Sequence, residues 1–146
     1  MTWIIYLLAT AAGAANPAQA GANAELKKAL GQVLSATLCV YVSGLFGMVI
    51  ITTVARRPLG VERFSSVPWW AWTGGVLSIG STLAGAAFAQ RLGSGVFTGI
   101  SVTAALIMSV VLDNYGWMGF KTHPVSGTRI LGCTLMISGL WLISRF

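Results

Sequence analysis

The chain has 146 residues, of which 55% are hydrophobic and only 8% charged, with a net charge of +6 and a mean hydropathy of +0.79. An ordinary soluble domain carries about 25% charged residues, so this composition cannot furnish a soluble exterior and leaves no room for a soluble catalytic domain. The nine basic residues sit between apolar segments, where they anchor helix ends against headgroups, which argues against a nucleic-acid-binding face.

The apolar stretches match the ~20 residues needed to cross a ~30 Å hydrocarbon core. They predict an all-α, polytopic membrane protein with one domain over 1–146 and about five transmembrane helices. The first is expected at 3–23. Its end, Ala18-Gln19-Ala20, resembles a signal-peptidase site, but no basic residue precedes the apolar run, so a retained helix is expected. Asn16, Gln19 and Asn23 share one face at i, i+3, i+7. Pro17 lies among them and deprives the Gly13 carbonyl of its usual partner. Amides in hydrocarbon need partners. The stripe therefore reads either as a solute pathway beside a hinge at Pro17, or as a kinked helix bonded to its neighbours.

The second helix is expected at 31–54 and the third at 68–89, opened by Trp69, Trp70 and Trp72. Tryptophan favours the membrane interface, and these rings are also candidates for stacking on a ligand. The fourth helix, at 94–112, carries Gly95, Gly99 and Thr103 in a small-xxx-small row. Such rows allow close backbone approach, and Gly95 and Gly99 are the candidate subunit contact, with packing inside one subunit the equal alternative. Asp113 ends this helix and is expected to cap the following turn. The fifth helix is expected at 128–146, its uncharged part spanning about 21 Å.

Glu25, Glu62 and Asp113 are the acidic residues, and none falls mid-helix by these boundaries. Asp113 and Glu25 are the candidate coupling carboxylates, although Glu25 is also placed to pair with Lys28. His123 stands alone, and Cys39 and Cys133 read as small core residues. No metal site, cofactor or catalytic residue is expected: no nucleophile–base pair, P-loop or Rossmann fingerprint is present. Five spans place the termini on opposite sides. Arg56, Arg57, Arg63, Lys121 and Arg129 then lie on one side, with Lys27, Lys28, Arg91 and Arg145 on the other. Five against four gives little positive-inside bias, so the chain is expected to insert either way up and to pair as an antiparallel homodimer, the arrangement of an inverted-repeat transporter. A single weakly fixed orientation set by Arg56-Arg57 is the alternative.

Pro68-Trp69-Trp70-Ala71-Trp72-Thr73-Gly74-Gly75 resembles the YdcZ-type inner-membrane exporters of bacteria, half-length members of the drug/metabolite transporter superfamily. Gln19 with Asn23 to Leu26, Arg91-Leu92-Gly93, Ser109 to Asp113 with Gly116, and Arg129 to Leu142 extend the resemblance over almost the whole chain. It implies five helices per copy and antiparallel assembly. Ala105 stands where family members often carry glutamine, and Asn16-Pro17 lies outside the family pattern. The function expected is export of a small solute across the bacterial inner membrane, with membrane lipid and a second copy as partners. A small dual-topology channel and a non-transporting partner subunit are the competing readings.

Overall fold

The computed structural model describes residues 2–56 and 60–145; Arg57, expected in the charged second connection, lies outside them, as do Met1 and Phe146. Five α-helices follow one another: α1 Thr2–Leu30, α2 Val33–Val54, α3 Thr73–Leu92, α4 Ser94–Tyr115 and α5 Gly127–Arg145. No strand occurs among the described residues.

Five boundaries move by two residues or more from the sequence expectation, among them the end of α3, which runs on from 89 to Leu92. α1 continues past 23 to Leu30, because Glu25, Lys27 and Lys28 end an apolar span without ending a helix. Glu and Lys are good helix formers, and Lys28 Nζ reaches Glu25 Oε1 at 3.5 Å. The break comes at Gly31, whose φ of +72° ends the helix and delays α2 to Val33. α3 starts at Thr73, not 68: Pro68 is extended, and Trp69–Trp72 form a separate 3₁₀ turn. α4 runs on to Tyr115, so Asp113 sits in its last turn; Gly116, at φ +63°, closes it by donating its N–H to the Leu112 carbonyl.

Three of the helices, α2, α4 and α5, are long and apolar enough to cross a membrane. α1 and α3 have the length, 29 and 20 residues, but α1 carries the amides of Asn16, Gln19 and Asn23, and α3 is rich in Gly, Ser and Thr. Large apolar side chains such as Leu7, Leu34, Leu45 and Leu135 lie exposed, whereas the buried apolar positions are Ala24, Ala36, Ala86 and Ala89. This inverts a soluble fold. Small residues line the helix contacts while bulky ones face outward, as expected where the surroundings are lipid.

The chain forms two compact units, residues 20–88 and residues 2–19 with 89–145. In the 20–88 unit, Lys27 Nζ donates to the Ala87 carbonyl at 3.4 Å, and Tyr41 Oη bonds both Ser78 Oγ at 2.7 Å and Thr82 Oγ1 at 3.2 Å. In the other unit α4 packs on α5. The approach is close: a Cβ added at Gly99 would stand 2.7 Å from Leu140 Cδ1, and one at Gly95 4.0 Å from Ile143 Cγ2. The connection between these helices is tied down. Val125 N–H donates to Asn114 Oδ1 at 3.0 Å, His123 N–H to the Asp113 carbonyl at 2.8 Å, and Arg129 Nη1 to Asp113 Oδ2 and the His123 carbonyl, both at 3.3 Å.

Candidate functional site

Pro17 has no N–H, so the Gly13 carbonyl cannot close its helical bond, yet α1 runs unbroken through both. Pro17 lines a groove of about 460 Å³ whose other walls are Ser94, Gly95, Thr98, Gly99 and Val102 of α4. The small residues of α4 leave this space because Ser94 and Thr98, like Gly95 and Gly99, stand four positions apart, which keeps them on one face. The groove is open and mostly apolar. Gly95 and Gly99 therefore do two things in one subunit: they border the groove and admit α5.

The amide stripe divides. Asn16 and Gln19, on either side of Pro17, are exposed, while Asn23 is 7% exposed in the other unit. None of the three side chains makes a hydrogen bond among the described residues.

The carboxylates sit at helix ends beside cations. Asp113 faces Arg129, with side-chain exposures of 29% and 35% respectively. Glu25 faces Lys28 at the end of α1. The Glu62 side chain lies outside the described positions. Trp69 is 79% exposed and Trp72 makes an edge contact with Phe64 at 5.6 Å between ring centres. Among the described residues, no three His, Cys, Asp or Glu side chains stand together as a metal site would require; Cys39 and Cys133 are free thiols.

The sequence did not disclose the hydroxyl cluster of Tyr41, Ser78 and Thr82. It joins residues some forty positions apart, and an all-apolar helix pattern carries no signal for which faces meet. The one available hint was a tyrosine at mid-span, away from the interface where its hydroxyl would find water.

A family model described as "Putative inner membrane exporter, YdcZ" matches residues 4–142. No match was found among curated proteins or among solved structures.

Proposed function

Because the chain belongs to the YdcZ family of inner-membrane exporters, we propose that it exports a small solute by alternating access, working as an antiparallel homodimer. The observation that carries this reading is the position of Asn16 and Gln19. Both amides are exposed on α1 beside the Pro17 groove and have no partner within the described chain. Leaving such groups in hydrocarbon is costly, so a second copy or an aqueous pathway is the environment that accommodates them. In an antiparallel pair the two stripes would face each other near the midplane, where inverted-repeat transporters bind solute. Pro17 would be the flexible point as the copies rock, and the groove, lined by small residues, the space into which α1 moves.

The near-even distribution of basic residues supports insertion in both orientations. Asp113 and Glu25, each held by a cation at a helix end, are better suited to bracing than to carrying protons through the pathway. Trp69, Trp70 and Trp72 are best suited to interface anchoring, since their 3₁₀ turn precedes the helix.

Two measurements test the reading. A C-terminal reporter active only in the cytoplasm and another active only outside should both give signal; signal from one alone removes the antiparallel homodimer. Asn16→Ala and Gln19→Ala should abolish solute efflux from loaded proteoliposomes while leaving the protein folded. Unchanged efflux in both variants removes the amides from the pathway.

A further inference from the structure

The hydroxyl cluster of the 20–88 unit has a direction that chemistry dictates. Ser78 Oγ lies 2.9 Å from the Gly75 carbonyl, which only accepts, so the single Ser78 hydrogen is spent there. In the 2.7 Å contact with Ser78, Tyr41 must then be the donor. That uses the tyrosine hydrogen, so in the 3.2 Å contact Thr82 must donate to Tyr41. All three hydrogens point one way along the chain, and what the cluster still offers is lone pairs, with both lone pairs of Thr82 Oγ1 unused at its head.

Thr37 supplies the complement. Most helical serines and threonines here, among them Thr52, Ser101, Ser109 and Ser138, donate to a carbonyl three or four residues back. Thr37 does not: its residue is only 5% exposed and its Oγ1 has no partner. An unsatisfied hydroxyl in an apolar interior is an expensive feature to keep. It lies four residues before Tyr41, one turn along the same face of α2.

We infer that Tyr41, Ser78, Thr82 and Thr37 form a binding site for an uncharged, hydroxyl-bearing solute. A hydroxyl donates to the spent chain at Thr82 and accepts from Thr37, matching both halves. An ammonium group has no lone pair for Thr37 and finds no carboxylate in the cluster to offset its desolvation. A carboxylate brings no hydrogen for Thr82, and a phosphate brings a negative charge that no cation in the cluster offsets. The inference deepens the transporter reading by naming the solute class, and rests on it for its biological use.

Saturation-transfer NMR of the full chain in nanodiscs decides the matter with xylitol and trimethylamine N-oxide as probes, the second carrying an acceptor but no donor. Xylitol should give saturable transfer, and trimethylamine N-oxide, which can engage only the Thr37 hydrogen, much weaker transfer. Thr82→Val keeps the Tyr41–Ser78 bond and the side-chain shape, and should weaken xylitol binding about fivefold to tenfold, the loss of one hydrogen bond. Ser78→Ala releases the tyrosine hydrogen, so that variant should gain transfer to trimethylamine N-oxide. Absence of xylitol transfer with the unaltered chain overturns the inference, as does equal xylitol binding by Thr82→Val and Tyr41→Phe. Xylitol efflux from proteoliposomes separates the two readings. Binding without flux keeps the site and sinks the transporter, while flux of other solutes without xylitol binding does the reverse.

Discussion

Gly99 is where packing within the subunit can be weighed. Alanine at 99 removes a flexible glycine from a helix interior, which by itself stabilises by about 0.5–1 kcal/mol. Against that, the new Cβ would lie 2.7 Å from Leu140 Cδ1 and 3.9 Å from Leu140 Cγ, an overlap of the kind that costs about 1–3 kcal/mol. The obstructing atom is the end of a side chain that can swing, so the net effect of Gly99→Ala should be a loss of about 0.5–2 kcal/mol. In a Leu140→Ala background the obstruction is gone, and the same substitution should become stabilising by about 0.5–1 kcal/mol. Reversible unfolding of the four proteins in mixed micelles closes the double-mutant cycle, with an expected coupling of about 1–3 kcal/mol. Equal effects in both backgrounds would refute the argument. A loss of stability that varied with protein-to-lipid ratio would then place the glycine row against a second copy instead.

Other substitutions read other parts of the structure. Gly116→Ala meets both a left-handed φ of +63° and Thr122 Oγ1 at 2.6 Å, whereas Gly31→Ala at φ +72° meets open space. Unfolding should therefore show a loss of about 1 kcal/mol at Gly31 and about 2–3 kcal/mol at Gly116, part of the latter recovered by Thr122→Ala. Asp113→Asn should lower stability by no more than about 1 kcal/mol, since the ion pair is about a third exposed, and less in 1 M salt. If that variant loses efflux with its stability intact, Asp113 is a coupling carboxylate and not a brace. Pro17→Ala restores an N–H for the Gly13 carbonyl, and should raise stability, by up to about 3 kcal/mol, while slowing efflux. Equal efflux rates would show that the hydrogen bond missing at Pro17 is not used in transport.

The helices were legible because hydrocarbon thickness imposes length, and length is written directly in an apolar run. The boundaries that moved are those where membrane span and helix are different things. Lys27 and Lys28 end the first without ending the second, and Trp69–Trp72 belong to the interface while coiling in a 3₁₀ turn. Pro17 and the Gly95–Gly99 row were readable as features, but their meeting around one groove depends on tertiary approach. The tyrosine-centred cluster was invisible for the same reason. Charges were readable only in part: the Glu25–Lys28 pair follows from helical spacing, whereas Arg129 reaches Asp113 because an eleven-residue connection folds back on hydrogen bonds that no local pattern announces.

The backward-donating hydroxyls matter before the fold exists. Thr73, Ser78 and Ser81 of α3 each satisfy their hydrogen on a carbonyl of the same local segment, so they need no neighbour and no water to enter hydrocarbon. A residue-by-residue hydropathy scale charges such side chains as though they were bare. During synthesis, α3 presents to the translocon a surface closer to polyalanine than its composition suggests. These three side chains then need no partner at that stage, and Thr82 bonds Tyr41 of the earlier-made α2 once the helices pack.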